Sequence, residues 1–279
     1  MILVTGASGT VGQAVVAALG DRPDMWRATR SETPRPGERL FDFERPETYA
    51  SAVEGVRALF LLFPPGLAHA EARFAALLRT ARNAGVEQTV FLSVRNADRL
   101  PLPHRKLERV IEASRLAWTH LRANDFFQNF ATVAFYRDSI RAGRLIGPGG
   151  QSRTSYVDVR DVGAAAATVL TTTGHAGRAY SLSGSRDHSL AEIGAAIGGA
   201  LGREIAVSTP SLPAFLMAAR HGGAPTALAL VMTSIGLVAR LGYSRGIDPD
   251  LRDLLPGQRR GLDDFARDYA NSWRSEPTT

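Results

Sequence analysis

The chain has 279 residues, 44% hydrophobic and 22% charged, with a formal net charge of +6; such a sequence folds as a soluble globular protein, as one large α/β domain or one with a small attached part. It contains no cysteine, which excludes a disulfide framework and a thiolate zinc site, and we expect no metal. Its arginines are spread along the chain and mark no nucleic-acid-binding module, so no nucleic-acid partner is expected.

The apolar run Ile2 to Val4 reads as a buried strand, and Val11 to Leu19 reads as a helix. Between them lie Gly6, Gly9 and Gly12, spaced G-x-x-G-x-x-G. Glycines so placed permit a tight turn, close approach of backbone to a pyrophosphate, and close packing of helix on strand. The helix N-terminus would then face the phosphates with its unpaired N–H groups. A strand at Met25 to Thr29 completes a βαβ unit, and the whole reads as a dinucleotide site. That strand ends at Arg30, with Arg27, Arg35 and Arg39 nearby, where an NAD site usually carries an acid for the ribose hydroxyl. Arginine there suits a 2′-phosphate and favours NADP; Glu32 is the competing residue for NAD.

Leu40 to Phe43 is strand-like and Glu47 to Val53 helical. Ala58 to Phe63 is a near-continuous apolar strand, stopped by Pro64-Pro65-Gly66 where doubly wound sheets bind ligands. A helix from about Ala68 to Ala84 ends at Gly85, followed by a strand at Gln88 to Val94 containing Ser93, a helix over Pro103 to Arg115, and a strand at Trp118 to Arg122. We expect this nucleotide-binding part to span about residues 1–123. Beyond it, Asn124 to Phe130 is aromatic and amide-rich, with core and pocket readings both open. Short strands flank Gly147-Pro-Gly-Gly150, and an alanine-rich helix runs from Val159 to Leu170. A further βα step follows, then a mostly helical block, with cap contributions expected over about 185–261 and a final helix at Leu262 to Trp273. The expected fold is a Rossmann-type doubly wound parallel sheet with a small, mostly helical C-terminal cap, in a single module.

The chain starts in its first core strand, so no signal peptide is expected. The apolar run Ala227 to Ala239 is too short to span a bilayer. We expect a cytoplasmic protein with a small-molecule substrate and no membrane partner, as a monomer or homodimer. Among 33 Lys plus Arg, Lys106 is the one lysine, which invites a specific reason for a compact ammonium there.

Together, Leu3 to Gly12, Asp42-Phe43, Leu61 to Pro65, His104-Arg-Lys106, Leu121 to Phe130, Tyr156 to Asp161 and Asp264 to Tyr269 resemble the NmrA-like branch of the atypical short-chain dehydrogenases. That branch includes NADPH-dependent quinone reductases, iminium reductases and non-catalytic redox sensors. The resemblance implies that Ser8, Gly9, Thr10, Val11 and Gly12 hold the pyrophosphate, with Gly6 in the turn, and that Arg30 holds the 2′-phosphate. By the same resemblance, Asp42 and Phe43 meet the adenine. Phe63, Pro64, Pro65 and Lys106 meet the nicotinamide ribose, and Ser93 joins the cofactor-binding set. Asn124 and Phe126 border the nicotinamide, while Phe127, Asn129, Phe130 and Tyr156 lie on the substrate side. Ordinary short-chain dehydrogenases carry a proton-donating tyrosine four residues before the lysine; here that residue is Leu102. His104, whose ordinary pKa lies near neutrality, is a candidate replacement acid beside Lys106. Tyr136 and Tyr156 are further candidates. The resemblance thus implies an NADPH-dependent reductase of a quinone, enone or imine. The rivals are an NADP(H)-binding sensor acting through a protein partner, and an NADP-assisted isomerase or cyclase.

Overall fold

The computed structural model describes residues 1–64, 66–257 and 259–274. It comprises two compact units. The first contains residues 1–123, 159–182 and 248–257. The second contains 124–158 and 183–247, with the C-terminal residues from 259.

The first unit is built on a parallel sheet of seven strands among the described residues. In chain order they are β1 (Ile2–Val4), β2 (Met25–Thr29), β3 (Glu38–Leu40), β4 (Ala58–Leu61), β5 (Gln88–Val94), β6 (Ala117–Ala123) and a last strand at Arg178–Leu182. Their spatial order is β3-β2-β1-β4-β5-β6 followed by the last strand. The order reverses between β1 and β4, which open-sheet proteins use as a ligand crevice. β1 and β4 are buried along their whole length, as their unbroken apolar runs require in a sheet covered on both faces. Helices α1 (Thr10–Leu19), α2 (Tyr49–Val53), α3 (Ala70–Asn83) and α4 (Pro103–Glu112) supply the crossovers. Helix Val159–Thr171 packs on α1 at Gly163, where a Cβ would stand 2.5 Å from the Ala14 carbonyl. Only a missing side chain permits that approach.

Two expected strand limits move for local reasons. The piece expected at Leu40 to Phe43 pairs as Glu38–Leu40. Phe41 N–H makes one more bond to the Thr29 carbonyl, and the chain then turns at Asp42, whose Oδ1 accepts from Glu44 N–H at 2.9 Å. β4 ends at Leu61 because the next N–H, from Leu62, goes to the Thr5 hydroxyl at 3.0 Å.

The second unit gathers helices Asn129–Thr132, Ala134–Arg141, Leu190–Leu201, Leu212–His221, Thr226–Arg240, Leu262–Asp268 and Ala270–Trp273. Two small strand pairs join them: Arg144–Ile146 beside Ala206–Ser208, and Arg153–Thr154 beside His188–Ser189. Ser189 and Glu192 close a reciprocal capping box at the start of Leu190–Leu201. The core holds Phe127, Phe130, Phe215, Phe265 and Trp273, and the Trp273 indole donates to the Phe130 carbonyl at 3.0 Å. The final helix, expected to run unbroken from Leu262 to Trp273, is interrupted at Tyr269.

Candidate functional site: a nucleotide cradle and a carboxylate-aromatic pocket

The three fingerprint glycines have different physical roles. Gly6 takes φ +62°, and a Cβ there would meet Leu62 at 2.4 Å. At Gly12 a Cβ would stand 2.0 Å from the Gly6 carbonyl oxygen. Both are demanded by the fold itself. Gly9 is exposed with φ −85°, and a Cβ there would meet only the Gly6 oxygen, at 3.4 Å. Helix α1 begins at this residue with neither a side-chain cap nor an acid in its first turn. Its N-terminal N–H groups and positive dipole end are therefore available to an anion. Ser8 and Thr10 are exposed beside Gly9, and Val11 is half-buried. This cradle fits a pyrophosphate.

Other expected cofactor residues follow the same end of the sheet. Arg30 is exposed directly after β2. Glu32, the competing residue for an NAD ribose, forms an ion pair with Arg45. Asp42 follows β3 in its turn, half-buried. The Phe43 ring is buried against Phe74 at a centroid distance of 4.9 Å, so its face is spent in the core. Phe63 follows β4 and touches His104 edge to face at 5.3 Å. Pro64 comes next, and Pro65 lies outside the described residues.

Ser93 and α4 belong to an ion-pair network. Ser93 is buried, and its hydroxyl donates to Glu108 Oε1 at 2.7 Å. Arg122 grips both oxygens of that carboxylate at 2.9 Å. Burial pushes the Glu108 carboxyl upward, but the hydrogen bonds from Arg122 and Ser93 outweigh it and hold the group at about 2. Glu112 and His120 lie close enough to share a metal ion with Glu108. Arg105, which bridges Glu108 and Glu112, and Arg122 already supply positive charge, so the two carboxylates are satisfied as ion pairs.

On the exposed face of α4, Lys106 Nζ lies 3.6 Å from Glu71. Leu102 is the residue before the helix, and no phenol replaces the absent tyrosine there. His104 does not titrate near neutrality as expected. Burial lowers its pKa to about 4 despite the opposing pull of Glu108, so it is neutral at pH 7 and a poor acid.

Within the second unit a cavity of about 40 Å³ is lined by Asp125, Asn129, Phe130, Tyr136, Tyr156 and the glycines of the 147–150 loop. Three of the four expected substrate residues, Asn129, Phe130 and Tyr156, share this wall. Phe127 stands behind it in the core, stacked on Tyr156 at 5.6 Å and on Phe265 at 5.4 Å. Asn124 is buried, and its amide donates to the carbonyls of Ser155 and Ser244 and to the Ser155 hydroxyl. Phe126 bridges to Val157 through its backbone. Asp125 escaped the sequence reading, although an acid set among aromatic residues was a visible signal. Burial raises its pKa to about 6, against the hydrogen bonds from Phe126 N–H and Asn129. Tyr136 and Tyr156 are pushed upward by burial and by the Asp125 charge, so both are neutral phenols.

Residues 6–173 match the family model described as NAD(P)H-binding. The chain belongs to this NAD(P)H-binding family. It shares its fold with NmrA, at 16% identity and a TM-score of 0.77, and its relatives include proteins named as reductases. A reductase from Streptomyces griseus acting on (4-alkanoyl-5-oxo-2,5-dihydrofuran-3-yl)methyl phosphate is 30% identical, covering 99% of this chain and 100% of its own. The NAD(P)H azoreductase of Xenophilus azovorans is 28% identical over 97% of this chain and 98% of its own. The Escherichia coli quinone oxidoreductase QOR2, solved with NADPH, shares the fold at a TM-score of 0.85, with 24% identity over 95% of this chain and 98% of its own. Among the described residues of this NAD(P)H-binding protein, no helix is long and apolar enough to cross a membrane.

Proposed function

We propose that this protein is an NADPH-dependent reductase of a small conjugated substrate, working by direct hydride transfer without the tyrosine of ordinary short-chain dehydrogenases. The observation that carries this reading is Gly9. The fold tolerates a side chain there, yet the position above the open end of α1 is a glycine, as close approach of a pyrophosphate demands.

The cofactor supplies a hydride when bound. This chain's residues hold and orient it: the α1 turn at the pyrophosphate, Arg30 at a 2′-phosphate and Lys106 at the nicotinamide ribose. The preference for NADPH is supported by Arg30 at the end of β2 and by the pairing of Glu32 with Arg45. Leu102 gives no proton, and His104 is neutral, so the acceptor must tolerate hydride addition without a strong acid at either residue. Conjugated acceptors meet that condition because their reduced forms are stabilised. The azoreductase and quinone reductase relatives support the same choice. We assign the pocket of the second unit to the substrate.

A second reading rests on helix Thr226–Arg240, where Leu230, Val231 and Leu237 are exposed. An apolar face of this kind fits a protein partner, as a redox sensor would need. The pocket favours the enzyme. NADPH oxidation measured against quinones, azo dyes, enones and cyclic iminium ions decides: turnover with one class supports the reductase, and NADPH binding without turnover on any supports the sensor.

A further inference from the structure

We propose that the outer face of helix Thr226–Arg240 is the seam of a symmetric homodimer, in which this helix packs antiparallel on the same helix of a second copy. Ala227, Leu230, Ser234, Leu237 and Leu241 recur at alternating steps of three and four residues, the spacing by which one helix meets another along its length. All five are exposed, Leu230 at 51% and Leu241 at 64%. Leu228, Val231 and Ile235 are exposed on the flank of this stripe. A surface helix ordinarily turns a polar face outward; here the outer face is apolar as well. The inner side is already engaged. Ala229, Met232, Gly236 and Ala239 are buried, and Gly236 lies so close to Pro148 that a Cβ would stand 2.3 Å from its ring.

Charge and area select a second copy as the occupant. From Thr226 to Ala239 the helix carries no charged residue, in a chain where 22% of residues are charged. Two copies, each with a formal net charge of +6, therefore meet where neither presents a charge. Arg240 does not disturb the seam, because its guanidinium donates to the carbonyls of Pro148 and Pro210, both at 2.6 Å. A helix that lies on an anionic lipid surface needs free cations beside its apolar face, and the one cation of this helix is so occupied. Leu228, Leu230, Val231, Ile235, Leu237 and Leu241 expose on the order of 500 Å² of apolar surface, the amount in a homodimer interface that buries about 800 Å² per partner and is about two thirds apolar.

An antiparallel pair about a two-fold axis at Ser234 is self-complementary. It sets Ala227 of one copy opposite Leu241 of the other, small against large, and brings the two Ser234 side chains together at the axis. The Ser234 hydroxyl donates to the Leu230 carbonyl at 2.9 Å within its own helix, so enclosing it leaves no donor unpaired. Pairing of this kind is independent of the reductase reading, and a face taken by a second copy is closed to the partner of a redox sensor.

The test is sedimentation velocity of the full chain at about 20 µM, with and without NADPH. The wild type should sediment at twice the 30.0 kDa chain mass in both conditions. Leu237→Glu places an unpaired charge in the seam and should weaken association about a hundredfold or more, giving a monomer that keeps its melting temperature and its NADPH-induced rise. Because the chain has no cysteine, Ser234→Cys supplies a single thiol, which the short cross-linker bismaleimidoethane should join between copies. Ser51→Cys, exposed in the first unit, should not be joined. A monomeric wild type at this concentration would overturn the proposal. So would a dimer that persists in Leu237→Glu, or one that Ser234→Cys fails to cross-link, since either puts the contact elsewhere. Should Leu237→Glu fail to fold, the cross-link at residue 234 decides alone. Flotation with phosphatidylserine vesicles completes the set: a wild type that floats, and is monomeric without vesicles, has a lipid-facing helix and no dimer seam.

Discussion

Arg122 clasps both oxygens of Glu108 at 2.9 Å, in a place where the Glu108 side chain has no exposure to solvent. Removing one partner of such a pair leaves a buried charge uncompensated. Glu108→Ala should therefore cost about 3–5 kcal/mol in urea unfolding at neutral pH. The pair also sets an acid limit. Because the folded carboxyl is depressed from 4.5 to about 2, its contribution is fully present above about 4.5 and is lost as pH falls toward 2. The wild type should lose stability over that window more steeply than Glu108→Gln. Parallel slopes for the two proteins would remove Glu108 from the account.

Two glycines of one turn should respond oppositely. Gly12→Ala puts a methyl 2.0 Å from the Gly6 carbonyl oxygen and should lower the melting temperature even without cofactor. Gly9→Val should leave that temperature nearly unchanged and abolish the rise on adding NADPH, since its side chain fills the space required by the pyrophosphate. A Gly9→Val protein that keeps its ligand-induced rise would reduce Gly9 to a turn residue.

Arg30 is exposed and Glu32 is engaged by Arg45. Arg30→Ala should weaken NADPH by about ten- to a hundredfold, the scale of one charge-assisted contact, and leave NADH unchanged. Calorimetry with both cofactors reads this directly. Equal wild-type affinities for NADPH and NADH would refute the assignment.

Among the described residues the Lys106 ammonium makes an exposed ion pair with Glu71 at 3.6 Å, of a kind worth about 0–1 kcal/mol. Lys106→Ala should thus barely alter stability, while NADPH affinity and turnover fall through loss of the ribose contact. Lys106→Arg should rescue poorly, because a planar fork does not replace a compact ammonium. With leucine at 102, the pH–rate profile should keep its shape in both variants. Loss of a titrating limb at unchanged NADPH affinity would make Lys106 a proton-transfer residue instead.

Much of the first unit could be read locally. Unbroken apolar runs marked β1 and β4, and glycine spacing marked the turn into α1, because a parallel strand covered on both faces and a tight turn each leave a pattern within a few neighbouring residues. The ends of β3 and β4 were less legible: the Asp42 side chain takes the Glu44 N–H in the turn after β3, the Thr5 hydroxyl takes the first N–H after β4, and a polar residue does not announce which amide it will cap. The glycine pattern likewise failed to distinguish Gly9 from Gly6 and Gly12, since only the built turn shows which Cβ would collide.

The sequence by itself determined the βα order, the nucleotide-binding turn, the arginine after β2 and the absence of a phenol at Leu102, all properties of residue type and short-range spacing. Tertiary structure decided the environments. It half-buried His104 beside Phe63 and so lowered its pKa, placed Ser93 and Arg122 on Glu108, and brought Asn129, Phe130, Tyr136 and Tyr156 around Asp125. A charge acquires its pKa from desolvation and from partners far away in the chain, and neither is encoded at the residue that carries it.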